Sequence, residues 1–176
     1  MDIVNFFEKL AGKWFSQRTI HDLVSQVSKS GQSDLQVDWV DSTSPNVAQL
    51  CQRAQLDPAT ALGGFRVSQN SLMDGETQRQ QSTTFVVLLE PVQGHQGRLL
   101  RQAQDDSHPP ILGYYALEDE ILTLVSEADH FRAEERLWFA NPNLRMRTNV
   151  LEIANDIHLT SFCSEIRLGT SRPSSE

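Results

Sequence analysis

"EERLWFANPNLRMRTNV", residues Glu134 to Val150, reads as two short strands joined by a turn at Asn141-Pro142-Asn143. In a strand, alternate side chains share a face. Leu144, Met146 and Thr148 therefore take one side of the second strand, and Arg145, Arg147 and Asn149 take the other. One side is suited to packing. The other looks into water, or into a cavity that holds an anion. A solvated outer face is the ordinary place for arginine. The alternative is a small barrel whose apolar side packs outward under helices, so that Arg145 and Arg147 line the lumen. Interior arginines are costly without anions, and guanidinium groups grip carboxylates in bidentate fashion. Such a lumen would suit a ligand with two carboxylates.

The rest of the second half repeats the strand pattern. From Phe65 onward the candidates are "FRVSQNSL", "QSTTFVVLLE", "GRLLRQ", "ILGYYAL", "ILTLVSEA", "RAEERLWFA", "LRMRTNVLEI" and "HLTSFCSEIRL". Turn-like breaks separate them at "MDGE", "PVQGHQG", "DDSHPP", "EDE", "NPN" and "AND". Many strands at near-regular spacing point to a sandwich or an up-and-down barrel.

The first half adds helices. Asp2 can cap a helix carrying Ile3, Phe6, Phe7 and Leu10 at helical spacing, with Gly12 placed to end it. "KWFSQRTIHDLV" then reads as a strand, "GQS" (Gly31 to Ser33) as a turn, and "DLQVDWV" as a second, alternating strand. Ser44-Pro45 suits the start of a helix with Val47, Leu50, Cys51 and Ala54 on one face, stopping before Asp57-Pro58. A short turn over Ala59 to Leu62 is ended by Gly63-Gly64. Residues 1–168 are thus expected to form one domain, and 169–176, "GTSRPSSE", a disordered tail. A Gly12-x-Trp14 at the start of the first strand favours an all-β, lipocalin-like up-and-down antiparallel barrel, with an N-terminal helix and one inserted helix. Barrels of this kind enclose one small ligand.

Composition narrows the function. The chain has 176 residues, 39% of them hydrophobic, enough for one core. A net charge of −8 leaves no basic excess for nucleic acid. No apolar run approaches a membrane span, and the acidic "MDIVNFF" start is unlike a signal peptide. Cys51 and Cys163 are far apart, read as free thiols in a reducing cytoplasm. Neither they nor the five histidines show metal-ligand spacing, so no metal or resident cofactor is expected.

Five further residues are weighed for chemistry. Arg18 shares a strand face with Trp14 and Ser16, and either packs over Trp14 as a cation–π pair or touches a ligand. His21 lies on the opposite face. Glu135 and Glu165 are acid/base candidates if burial raises their pKa values. Otherwise they are surface carboxylates or partners of Arg136 and Arg167. Cys163 shows no sign of an activating base and reads as a small buried residue.

Four stretches, "FFEKLAGKWFSQRT", "LCQRAQLDP", "ERLWFANPNLRMRT" and "SFCSEIRLG", span nearly the whole chain and together resemble the CpcS/CpeS-type phycobiliprotein lyases, including the CpcU subgroup. The resemblance implies a lipocalin-like barrel that binds an open-chain bilin, typically phycocyanobilin, as substrate. It implies transfer of that bilin to a cysteine of an apo-phycobiliprotein subunit as a thioether, with the nucleophile supplied by the acceptor. It places Glu135, Glu165 and His21 in matching motifs as catalytic candidates, and Arg18, Arg145 and Arg147 as candidates for holding the propionates. Active members tend to read "T-S-H-H" after the first-strand arginine, where this chain has Thr19-Ile20-His21-Asp22. They also carry a tryptophan in an "M-x-W-D" stretch, where this chain reads "NSLMDGETQRQ". These departures imply a CpcU-like subunit that works as a heterodimer with a CpcS-like partner; homodimerisation is the other arrangement. A bilin carrier or apo-phycobiliprotein chaperone without catalysis, or a barrel for another carboxylated apolar ligand, are the competing functions.

Overall fold

Asp2 begins the first helix, its carboxylate accepting a hydrogen bond from the Asn5 backbone N–H. In this computed structural model, which describes residues 2–103 and 108–169, helix α1 spans Ile3–Leu10. It buries Ile3, Phe6, Phe7 and Leu10, the face its spacing predicts. Strands β1 (Gly12–Asp22) and β2 (Val27–Asp41) follow, then helix α2 (Pro45–Arg53) and a 3₁₀ turn at Pro58–Thr60. Eight strands complete the order: β3 (Ala61–Met73), β4 (Gln80–Gln93), β5 (Gln96–Ala103), β6 (Ile111–Glu118), β7 (Ile121–Ala128), β8 (Phe131–Asn141), β9 (Leu144–Ile153) and β10 (Asp156–Leu168). Every neighbouring pair is antiparallel, and β10 closes on β1 to complete a ten-stranded up-and-down barrel. Closure leaves no free sheet edge.

Two glycine readings change. Gly31 to Ser33 is not a turn but the middle of β2; the chain reverses at residues 23–26 instead. Asp22 makes that reversal by accepting from the N–H groups of Val24 and Ser25. Gly31 is needed because a Cβ there would collide with Met73 on β3. Likewise Gly63-Gly64 lies inside β3 rather than ending a turn. At Gly63 the backbone holds φ +144° and the Trp39 ring fills the space a side chain would take. The "PVQGHQG" break is also shorter than its composition suggests, since β4 runs through Gln93 and β5 resumes at Gln96. The break expected around 105–107 and residues 170–176 of the expected tail lie outside the described residues.

Two packed regions position the lumen. Helix α1 plugs the end of the barrel where β1 begins, packing Phe6 and Phe7 with Trp14, Phe65, Phe139, Leu122 and Leu137. Helix α2 lies outside, its Val47, Leu50 and Cys51 against Val87, Leu89 and Leu100 of β4 and β5. The apolar side of β9 does point outward, but no helix among the described residues covers it. The connection carrying α2 reaches only the wall beside β3, so Leu144 and Met146 stay half-buried and neighbouring Phe162 and Ile166 are exposed. No helix among the described residues is long and apolar enough to cross a membrane.

Trp14 is fully buried at the junction of plug and wall, and its indole N–H donates to the Leu10 carbonyl over 2.9 Å. Trp14→Ala removes that bond and a large buried ring, so the expected loss is about 3–5 kcal/mol of stability, read from the midpoint of urea denaturation.

Candidate site in the barrel lumen

The inward faces of four adjacent strands stack in rows. One row carries Leu137, Arg147, Cys163 and Arg18 across β8, β9, β10 and β1. The row nearer the plug carries Phe139, Arg145, Glu165 and Ser16. The row nearer the open end carries Glu135, Asn149, Ser161 and Ile20. Arg18, Glu135, Arg145, Arg147 and Glu165 therefore come together inside the barrel. His21 does not: it is exposed on the outer face, with Nδ1 2.7 Å from the Ser28 hydroxyl.

The anions facing the arginine pair are the protein's own. Glu165 is fully buried. One carboxylate oxygen accepts from Arg145 Nε, the other from Arg147 Nε and Nη2 at 3.1 and 2.8 Å. Glu135 sits 3.7 Å from Arg147 Nη1. The partners are thus Arg145 and Arg147, not Arg136 or Arg167. Burial pushes the Glu165 pKa up, but Arg147 and Arg145 outweigh it, and the pKa lies below the ordinary carboxylate value. Glu165 is a held carboxylate, and the raised pKa a proton donor needs is not there.

Arg145 is 3% exposed. Besides Glu165 it meets the Leu10 carbonyl over 3.4 Å, at the C-terminus of α1. Its guanidinium lies 4.2 Å from the Trp14 ring, and Arg167 lies at the same distance from that ring. Arg167 also donates to the Ala11 and Lys9 carbonyls at 2.8 and 2.7 Å. Two cations therefore cap the unsatisfied carbonyl end of α1, which favours positive charge. The Trp14 partners are Arg145 and Arg167, so Arg18 is not the cation over that ring. Burial lowers the Arg145 pKa despite Glu165. For Arg147, burial also lowers it, but Glu165 and Glu135 more than compensate and the pKa is raised.

Arg18 is different. Among the described residues its Nη2 meets only the Met73 sulfur, at 3.8 Å, and its buried Nε has no partner. Buried arginine N–H groups are normally satisfied, so Arg18 stands out with hydrogen-bonding capacity left open. Cys163, between Arg18 and Arg147, has its thiol pKa raised by burial, with Arg147 opposing. That is the opposite of what an activated nucleophile shows.

A closed antiparallel barrel, plugged at one end and lined with arginines and carboxylates, has the lipocalin-like architecture. The chain belongs to the CpeS-like protein family, whose profile matches residues 2–168. It is 41% identical over 175 residues to the chromophore lyase CpcS/CpeS of Thermosynechococcus vestitus, covering 98% of this chain and 96% of that one. It is 33% identical over 174 residues to the phycocyanobilin lyase subunit CpcS of a Picosynechococcus species, covering 97% and 88%. Its fold is similar to that of the S-type phycobiliprotein lyase CPES from Guillardia theta, with a TM-score of 0.84 at 27% identity, covering 97% and 95%.

Removing the Glu165 charge strands two interior arginines. Glu165→Gln is expected to cost about 3–5 kcal/mol near neutral pH. The sign with pH follows from the lowered folded pKa: the carboxylate's contribution is complete above its unfolded value of 4.5 and is lost as pH falls through the folded one. Urea denaturation at stepped pH should show the variant and the unsubstituted protein converging in acid.

Proposed function

We propose that this chain is a phycobiliprotein chromophore lyase subunit that binds an open-chain bilin, phycocyanobilin in the first instance, in the barrel lumen. The observation that carries this reading is Arg18, a lumen guanidinium with no carboxylate partner among the described residues. In this reading Arg18, with the open side of Arg147, holds a bilin propionate through charge-assisted hydrogen bonds. Arg145, the remaining arginine of the pair, works from behind: it shares Glu165 with Arg147 and fixes where Arg147 points.

The chemistry is addition of the acceptor cysteine's S–H across the ethylidene double bond of ring A. The sulfur bonds to the ethylidene carbon, the ring carbon takes a proton, and no electrons are gained or lost. Protonating the bilin makes it more electrophilic. We assign that proton to Glu135, which lies toward the open end and keeps part of its side chain accessible. Glu165 stays charged and orients the arginines. His21, outside the lumen, is given no part in holding the ligand. The rest of the catalysis is positional: a fixed bilin, shielded from water, with ring A presented.

Dependence on a CpcS-like partner completes the proposal. Of the two histidines the family pattern implies, the one replaced is at Asp22, which has the strand parity of Arg18 and here caps the β1–β2 turn. The missing tryptophan belongs to the β3–β4 end of the open mouth. A partner subunit would make good both.

Two measurements test this. In absorbance titrations with phycocyanobilin, Arg18→Gln should weaken binding roughly tenfold to a hundredfold, the worth of a hydrogen bond to a charged group, without lowering the thermal midpoint. In a reconstituted transfer assay with an apo-phycocyanin subunit, covalent product should require both this chain and a CpcS-like partner, and Glu135→Gln should slow transfer while leaving affinity in place. Bilin binding without improved transfer in any mixture would make the chain a carrier instead.

A further inference from the structure

Among the described residues, four buried side-chain polar atoms lack a hydrogen-bond partner, and three of them sit at lumen-facing strand positions: Arg18 Nε, Arg101 Nε and Ser126 Oγ. The proposed function uses Arg18. It leaves Arg101 and Ser126 unexplained.

Both point inward by register. Arg101 has the parity of Leu99, a member of the interior core, whereas Leu100 packs outward under α2 and Gln102 accepts from Arg53 of that helix. Ser126 has the parity of Leu122 and Leu124, also interior, and is 2% exposed. Strands β5 and β7 each lie four steps from β1 around the closed barrel, flanking β6 on the wall opposite Arg18. Between them, Gly113 of β6 pairs with both Leu99 and Ser126 and puts no side chain on the wall. A guanidinium with a buried, unpaired N–H therefore stands across the lumen from Arg18, on the same side of the wall as a hydroxyl that is also unpaired, one row away and two strands over.

We propose that Arg101, aided by Ser126, is a second anion-holding point that takes the second carboxylate of the ligand. The inference rests on the bilin reading and adds to it a selectivity for dicarboxylates: Arg18 and Arg147 grip one acid from the β1–β9 side, and Arg101 grips the other from the β5 side. A burial cost carried without a partner in the free protein is relieved when the ligand enters. A ligand with one acid, or with both esterified, engages only part of the site.

The probe is biliverdin, a dicarboxylic open-chain tetrapyrrole, and its dimethyl ester, each titrated by absorbance into the unsubstituted chain, Arg101→Met, Ser126→Ala and Arg18→Gln. Arg101→Met is expected to weaken binding of the diacid on the order of tenfold to a hundredfold and to leave the ester little changed. Ser126→Ala should act in the same direction more weakly. The thermal midpoint of ligand-free Arg101→Met should be no lower than that of the unsubstituted chain, because the side chain removed satisfied nothing. A merely structural Arg101 would lower the midpoint and shift acid and ester alike, and that result overturns the inference. So does an unchanged diacid affinity in Arg101→Met. If that happens while Arg18→Gln still weakens the diacid, only the second anchor fails. If the unsubstituted chain binds neither form, the bilin reading fails and takes this inference with it.

Discussion

The Glu165 carboxylate, buried without solvent contact between Arg145 and Arg147, is the constraint on which the rest of the barrel's interior depends. It sits on β10 directly opposite Arg145 of β9, one row from Arg147, and beside Ser16 of β1. Through Arg145 it reaches Trp14 and the carbonyl end of α1, so the plug, the first strand and the last two strands share one charged centre. Buried ion pairs of this kind are weak sources of net stability, because desolvation takes back most of the attraction. Their value lies in geometry: a triad with its donors and acceptors satisfied admits few alternative arrangements.

That geometry divides the interior arginines by task. Arg145 and Arg167 are consumed by Trp14, Glu165 and helix carbonyls, and serve the closed end. Arg147 is shared between Glu165, Glu135 and the lumen. Arg18 is held beside Cys163 with hydrogen-bonding capacity left over. A lumen with every arginine neutralised would bind a carboxylate poorly, and one with none neutralised would be expensive to fold. Glu165 meets the arginine pair one row deeper than Arg18, and Glu135 faces Arg147 from the row on the open side, so the interior charge is balanced without using the Arg18 guanidinium.

Much of this was legible in the sequence, and the illegible parts have physical reasons. The strand alternation put Arg145 and Arg147 on one face opposite Leu144 and Met146, without fixing which face looks inward, and the spacing of Ile3, Phe6, Phe7 and Leu10 gave α1. The anion opposite the arginines was misread because Glu165 lies 20 residues from Arg145 and meets it only through the β9–β10 register. The raised carboxylate pKa expected from burial alone reversed once two arginines were adjacent. Gly31 and Gly63 were read as turn residues because their purpose, close approach to Met73 and Trp39, exists only after strands pair. Arg101 gave no signal: Leu99 and Leu100 before it are both buried, one inside the barrel and one beneath α2, so the strand shows no alternation from which to place it.

The most direct test of this division of labour is a crystal structure of the chain with phycocyanobilin bound. The account predicts the bilin in the lumen with a propionate oxygen at hydrogen-bond distance from the Arg18 guanidinium, and with Glu165 still joined to Arg145 and Arg147. A bilin seated on the outer face of the barrel, or a propionate that displaces Glu165 to take Arg145, would contradict it.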